Sequence, residues 1–89
     1  MSFTMPSEKR AKQFVVLNKL LQIRDYYNQG WEPDWNDGTK KYVIWVARNE
    51  FYTDISTHVN ALFAFRSEEV RDEFFQNFEE DLKTIEEFL

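Results

Sequence analysis

The chain has 89 residues and no cysteine, a length that suits one small domain and a composition that excludes disulfides, thiolate nucleophiles and cysteine-bound zinc. Aromatic residues make up 18% of the chain, and such large rings can hold a short chain together without disulfides or a metal. The formal net charge of −5 is uneven, because residues 68–89 carry nine acids and two bases (−7), whereas residues 1–67 carry seven acids and nine bases (+2). We expect one domain over residues 1–89, with an acidic C-terminal segment.

No apolar run approaches the length of about 20 residues that a membrane-spanning helix needs. The first ten residues also lack the apolar core of a secretory signal. We therefore expect a cytoplasmic protein with no membrane partner. We also expect residues 1–6 to be a flexible N-terminus.

The first predicted element is an amphipathic helix that begins after Ser7 and runs to about Asn28. Ser7 is a good N-cap because its hydroxyl oxygen can accept a hydrogen bond from a free N–H of the first turn. Gly30 then supplies the left-handed backbone that commonly ends a helix. Apolar residues recur at helical spacing along one stripe of this helix: Val16, Leu20, Ile23 and Tyr27.

Three strands are predicted after a loop at residues 32–39, which contains Pro33 and an Asn-Asp-Gly turn sequence. Residues 41–48 carry no strongly polar side chain between positions 42 and 47, which is typical of a central strand covered on both faces, or of a strand with one face covered by the loop tryptophans. A two-residue turn is predicted at Asn49 and Glu50. Residues 51–58 then alternate, with Phe51, Thr53, Ile55 and Thr57 on one face and Tyr52, Asp54, Ser56 and His58 on the other. A short strand at residues 61–65 completes a three-stranded antiparallel meander.

The last predicted element is a helix capped by Ser67, with Glu68 and Glu69 at its positively polarised N-terminus. Arg71 lies within the apolar side of this helix. We expect its aliphatic stem to lie along the core while the guanidinium reaches water or a carboxylate. The apolar residues fall within one arc of about 140°: Val70, Phe74, Phe75, Phe78, Leu82, Ile85, Phe88 and Leu89.

These elements predict an α+β fold with the order α-β-β-β-α, in which two helices pack on one face of the meander. The opposite face of the sheet has no predicted cover, and Tyr42, Trp45 and Tyr52 are candidates for an interaction surface there. Trp31 and Trp35 complete the candidate set. Two uses are open for these two tryptophans: a plug at the end of the core, or an exposed anchor for a partner.

No catalytic, cofactor-binding or metal-binding residue is predicted. His58 is the only histidine, and its strand neighbours Asp54 and Ser56 do not form a nucleophile–base array. Residues 34–38 resemble the start of a calcium loop, but glycine stands at the fifth position instead of the sixth, and Trp45 stands where a glutamate is needed. Two isolated glycines cannot form a phosphate-binding loop. We therefore expect no enzyme activity and no cofactor.

Nucleic-acid binding is an alternative, because α-β-β-β-α is also the element order of double-stranded-RNA-binding domains. Those domains place lysines at the start of the second helix, whereas residues 67–73 read Ser-Glu-Glu-Val-Arg-Asp-Glu and would repel phosphates. Single-strand binding would need a basic groove at the outer aromatics, where only Lys40, Lys41 and Arg48 are near. The mildly basic first helix keeps this alternative open. A further alternative is that the acidic helix mimics nucleic acid and inhibits a DNA-binding enzyme.

Three stretches of the sequence are distinctive: Gly-Trp-Glu-Pro-Asp-Trp at residues 30–35, Lys-Tyr-Val-Ile at 41–44 and Arg-Asp-Glu-Phe at 71–74. With them, the chain from about residue 17 to residue 89 resembles a family of short proteins encoded by phages, prophages and mobile elements of gut bacteria. The resemblance implies a phage or mobile-element context, and it implies no activity, cofactor or site residue. Our leading hypothesis is a small non-enzymatic protein that binds another protein or itself.

Overall fold

The computed structural model, which describes residues 7–56 and 61–89, contains two helices and a three-stranded antiparallel sheet. The elements follow in the predicted order α-β-β-β-α, which confirms the α+β class. The expectation of a flexible N-terminus at residues 1–6 and the positions predicted for Thr57 and His58 lie outside the described residues. The elements are α1 (Glu8–Asn28), β1 (Lys41–Ala47), β2 (Glu50–Ser56), β3 (Phe63–Phe65), α2 (Glu68–Thr84) and a final 3₁₀ turn (Glu86–Phe88).

Helix α1 begins and ends close to the predicted positions. The Ser7 hydroxyl accepts a hydrogen bond from the Arg10 N–H at 3.2 Å, so Ser7 is the N-cap. At the other end Gln29 already adopts left-handed backbone (φ +50°), and Gly30 follows with φ +86°. The sequence predicted left-handed backbone only at Gly30. The helix instead ends through two successive left-handed residues, Gln29 and Gly30.

Helix α2 has the predicted cap, since the Ser67 hydroxyl accepts a hydrogen bond from the Val70 N–H at 3.2 Å. Its backbone departs from helical geometry at Phe78 (φ −126°, ψ +18°), which introduces a kink. The predicted apolar arc is nevertheless confirmed over its whole length. Phe74, Leu82 and Ile85 are buried, and the other five members are partly buried against them: Val70, Phe75, Phe78, Phe88 and Leu89.

The strand order in the sheet is β2-β1-β3, so β1 is the central strand. The prediction of a central strand at this position is confirmed, but a meander would place β2 in the middle and is wrong. Strand β1 pairs antiparallel with both neighbours, with Ile44 opposite Thr53 on one side and Phe63 on the other. The apolar run of β1 suits burial on both faces, whereas the polar positions of β2 suit a solvent-exposed edge.

The turn between β1 and β2 lies one residue earlier than predicted. Arg48 (φ +52°) and Asn49 (φ +63°) are both left-handed, which is the backbone of the two-residue hairpin turn that matches strand twist. Ala47 pairs with Glu50, and Trp45 consequently lies opposite Tyr52. A turn at residues 49–50 would have placed Tyr52 opposite Ala47 instead.

The core lies between the two helices and one face of the sheet, as predicted. It comprises Leu20 of α1, Ile44 of β1, Phe63 and Phe65 of β3, and Phe74, Leu82 and Ile85 at the C-terminal end of the chain. The ring of Phe74 is at the centre of this cluster. Its centroid lies 4.8 Å from Phe65, 5.1 Å from Phe78, 5.6 Å from Tyr27 and 5.7 Å from Phe63.

The free edge of β3 is covered by the end of α1. The buried Asn28 side chain donates from Nδ2 to the Ala64 carbonyl at 3.0 Å, and its Oδ1 accepts from the Arg66 N–H at 3.2 Å. Arg24 donates from Nη1 to the Leu62 carbonyl at 2.8 Å. These side chains supply hydrogen bonds that a neighbouring strand would otherwise supply, and they satisfy backbone groups that are costly to bury unpaired.

Replacement of the central ring tests this description of the core. We expect Phe74→Ala to lower the free energy of unfolding by about 3–5 kcal/mol, because a fully buried phenyl ring is removed from four aromatic neighbours. Phe14→Ala, at a half-exposed ring of α1, is the control and should cost clearly less. Urea denaturation followed by circular dichroism measures both. Equal losses for the two variants would contradict the assignment of Phe74 to the centre of the core.

The role of Asn28 is tested separately. We expect Asn28→Ala to lower the free energy of unfolding by about 1–3 kcal/mol, because it leaves the Ala64 carbonyl and the Arg66 N–H without their partner. Asn77→Ala is the matched control, since among the described residues the Asn77 amide donates only to the Tyr27 hydroxyl, on an exposed surface. A loss no larger than that of Asn77→Ala would show that the edge is not stabilised by this side chain.

Candidate interaction surface

Trp45 and Tyr52 form a stacked pair on the outer face of the sheet, which is the face away from the helices. They lie opposite each other in the β1–β2 hairpin, with ring centroids 5.1 Å apart and planes inclined by 29°. Trp45 remains 41% exposed and Tyr52 39%. Because side chains alternate along a strand and Ile44 faces the core, Trp45 has to point outward.

A hydrogen bond orients the tyrosine of this pair. The Tyr52 hydroxyl donates to Oε2 of Glu50 at 3.1 Å on the same strand face. This hydrogen bond and the negative charge of Glu50 raise the pKa of Tyr52 above its usual value of 10.0. The Tyr52 ring therefore lies against Trp45 while its hydroxyl is directed to a carboxylate.

Two shallow clefts border Trp45. One, of about 280 Å³, is lined by Val43, Trp45, Asp54 and Ala61 among others. The second, of about 600 Å³, is lined by Trp45, Leu62 and Leu89 among others. Leu62 is itself 40% exposed. We call Trp45, Tyr52 and Leu62 the outer patch, and it is a continuous apolar surface at one end of the sheet.

Tyr42, the third aromatic residue predicted for this surface, lies on the opposite face of the sheet. Its ring lies beneath Arg71, whose guanidinium carbon is 5.8 Å from the ring centroid. Arg71 is buried, and it donates to the Asp54 carbonyl at 3.0 Å and to the Asp72 carboxylate at 2.9 Å. The expectation for Arg71 is confirmed, because its stem is in the core and its guanidinium reaches a carboxylate.

Trp31 and Trp35 are both partly buried, so the structure places them between the two predicted uses. The backbone N–H of Trp31 donates to the Asn28 carbonyl at 2.9 Å, and this hydrogen bond fixes the start of the loop against the end of α1. Both indoles line one cleft of about 340 Å³ between the end of α1, the loop and β3, whose lining also includes Leu62. The five candidate residues therefore form three groups: the stacked outer pair, the cleft pair and the separate Tyr42.

Lys41 is the residue that the sequence did not single out. It is the first residue of β1 and is fully buried, yet its Nζ lies 2.8 Å from Oδ1 of Asp37 and 5.4 Å from the centroid of the Trp35 ring. Lys41 shares the outer face with Trp45, so Trp35 and Asp37 cover that face at the Lys41 end. A lysine that begins a strand is normally exposed, and only the position of the loop reverses this.

Asp37 accepts several hydrogen bonds in this contact. Its Oδ1 accepts from Lys41 Nζ, from the Thr39 N–H at 2.9 Å and from the Thr39 hydroxyl at 2.7 Å. These hydrogen bonds lower the pKa of Asp37 from 3.8 to about 2, and the bond from Lys41 has the largest effect. The carboxylate is therefore charged at neutral pH and holds the loop against the start of β1.

Ion pairs within α1 and between α1 and the C-terminal segment neutralise part of the charge of α1. Lys9 and Lys12 have no ion-pair partner within the described ranges. The acidic residues of α2 remain in excess, so the paired helix surface is not a basic groove. The other bases of α1 form ion pairs: Arg10 with Glu87 at 3.5 Å, Lys19 with Asp81 at 3.0 Å, and Arg24 with Asp25 at 2.8 Å.

Within residues 7–56 and 61–89, no group of three or more histidine, cysteine, aspartate or glutamate side chains could hold a metal ion. Neither described helix combines the length and the apolar character needed to cross a membrane. The sequence matches no protein-family model, and neither the curated proteins nor the solved structures with which it was compared contain a match.

The contact between Asp37 and Lys41 predicts a specific dependence of stability on pH. Because the pKa of Asp37 is lower in the folded chain than the usual 3.8, its carboxylate stabilises the fold above pH 3.8. That contribution is lost as the pH falls from about 4 to about 2. We therefore expect the difference in urea midpoint between the wild type and Asp37→Asn to be largest near neutrality and to vanish across this window.

Asp34→Asn is the matched control for this measurement. Asp34 lies in the same loop, and its carboxylate accepts from the Asn36 N–H without contacting Lys41. We expect this variant to lower the urea midpoint at neutral pH less than Asp37→Asn does. A difference for Asp37→Asn that stays constant between pH 6 and about 2 would contradict the assigned ion pair.

Proposed function

We propose that this protein is non-enzymatic and acts by binding another protein through the outer patch, with the stacked pair of Trp45 and Tyr52 as its anchor. The observation that carries the proposal is the exposure of two stacked rings, one of which, Trp45, lines two apolar clefts. Helices cover the other face of the sheet, and aromatic side chains left in the open have no role in the core.

The stacked pair has the physical properties of an interface anchor. Each ring restricts the rotamers of the other, so less side-chain entropy remains to be lost when a partner covers them. Tryptophan and tyrosine contribute large apolar areas together with a polar group at one edge, and they are enriched among the residues that dominate binding energy. Leu62 adds apolar surface beside them that can exclude water.

The charges around the outer patch favour a basic partner over an acidic one. Glu50 and Asp54 lie on the same face of β2 as Tyr52, and both are exposed. The chain as a whole carries a net charge of −5. A partner that presents apolar side chains flanked by lysine or arginine therefore complements this surface, and electrostatic attraction would speed its association.

The same charges disfavour nucleic acid as the partner. Phosphates would meet Glu50 and Asp54 at the outer patch, and three bases of α1 are already paired with carboxylates. Tyr42 also lies on the opposite face, so it cannot extend a row of stacking rings.

The resemblance to phage and mobile-element proteins supports a partner in a bacterial host cell.

Selection from a displayed library of random short peptides, with the folded protein as bait, tests the proposal. We expect the selected peptides to combine apolar with basic residues. Their affinity, measured by fluorescence anisotropy, should fall at least about tenfold for Trp45→Ala and for Tyr52→Ala, because each change removes half of the stacked pair.

Tyr26→Ala is the matched control for these variants. Tyr26 is 81% exposed on α1, so this change removes an exposed ring from a different surface and should leave peptide affinity unchanged. Circular dichroism confirms that all three variants are folded. Peptides that bind Trp45→Ala as tightly as the wild type would overturn the proposal. A stable dimer that Trp45→Ala dissociates would overturn it too, since the partner would then be a second copy.

A further inference from the structure

The cleft that contains Trp31 and Trp35 adjoins the outer patch at Leu62 and has its own chemistry. Helix α1 contributes Arg24 and Asp25 to its wall, and the loop contributes both indoles and Glu32. Its volume of about 340 Å³ can take the end of a long side chain. We call this the tryptophan cleft.

The uncompensated charge in the tryptophan cleft is negative. The charge of Arg24 is paired within the cleft, because its guanidinium donates to the Asp25 carboxylate at 2.8 and 3.0 Å and to the Leu62 carbonyl at 2.8 Å. Glu32 is exposed, and its carboxylate has no hydrogen-bond or ion-pair partner in the part of the chain that the structure describes. The cleft therefore offers one free carboxylate beside two indoles.

Trp35 already contacts one cation of the chain. The Lys41 ammonium lies 5.4 Å from its ring centroid and is paired with Asp37. Indole is the aromatic side chain that attracts cations most strongly, and partial burial strengthens this attraction by removing water. Trp31, in the same cleft, has no cation over its ring in the described part of the chain.

We propose that the tryptophan cleft binds a positively charged side chain of the partner protein, and that this side chain is an arginine. A planar guanidinium can stack on an indole while its N–H groups donate to a carboxylate such as that of Glu32. An ammonium can approach the ring but cannot stack on it. The charge, the aromatic lining and the size of the cleft all fit this ligand.

The position of the tryptophan cleft relative to the outer patch supports the same partner. Leu62 lines both the tryptophan cleft and the larger cleft beside Trp45, and Ala61 does so too. One extended segment could therefore cover the outer patch and place an arginine in the tryptophan cleft. In this respect the inference rests on the proposed function, because that function supplies the arginine.

Two-dimensional NMR of the indole N–H groups tests the inference directly. The chain has three tryptophans, and Trp→Phe variants at positions 31, 35 and 45 assign their signals. The probe is N-acetyl-arginine methylamide, with the citrulline counterpart as an uncharged control of the same shape. We expect the arginine probe to shift the Trp31 and Trp35 signals in a saturable manner, and we expect citrulline to leave them unchanged.

Glu32→Gln supplies the second arm of the experiment. This exposed substitution removes the free carboxylate and should weaken binding of the arginine probe about two- to fivefold. Glu69→Gln, at an exposed acid of α2, removes one negative charge as well and should have no effect. Equal affinity for the wild type and Glu32→Gln, or equal shifts with citrulline, would overturn the proposed cation site.

The Trp45 signal separates this inference from the proposed function. Selected peptides that shift Trp45 but not Trp31 or Trp35, together with an inactive arginine probe, would refute the tryptophan cleft and leave the outer patch intact. An arginine probe that binds the cleft while no peptide depends on Trp45 would support the cation site and refute the outer patch. Absence of any shift in all three signals would refute both.

Discussion

A three-stranded sheet has two faces, and the two helices of this chain can cover only one of them. On the helix side, the ring of Phe74 brings β3, α1 and the kinked part of α2 into one aromatic cluster. The other face needs a separate cover, because β1 carries apolar residues on both sides. The loop after α1 provides that cover at one end and leaves the other end open.

The loop is held in place by a charge that would normally face solvent. Lys41 is buried under Trp35, and its charge is neutralised by Asp37. An ion pair and an indole together therefore cover the outer face at the start of β1. Further along the strand, nothing in the described chain lies over the stacked Trp45 and Tyr52. Within the described residues, the outer face is therefore covered at the Lys41 end and exposed at the Trp45 end.

The two edge strands of the sheet, β3 and β2, have different surroundings, and this difference determines which surface a partner can reach. At β3 the side chains of Asn28 and Arg24 take up backbone groups, which prevents further strands from pairing there. At β2 the exposed acids Glu50 and Asp54 flank the tyrosine of the outer patch. The proposed partner surface is therefore a face with aromatic rings and acidic neighbours, continuous through Leu62 with the tryptophan cleft.

The sequence alone determined both helices, their serine N-caps and the apolar character of β1. These features follow from local signals: helical periodicity, a serine before each helix and an apolar run in β1. The interpretation of Arg71 as a core arginine with a carboxylate partner followed from its place in the apolar arc. The turn was predicted one residue late because asparagine tolerates left-handed backbone in either position, and only pairing with β2 distinguishes the two. Tertiary structure also decided the strand order, the separation of Tyr42 from Trp45, the burial of Lys41 and the cap that Asn28 places on β3. All four features depend on contacts between elements that are distant in sequence. The positions of Tyr42 and Lys41 also depend on which face of β1 the helices cover. Local sequence patterns do not encode either kind of information.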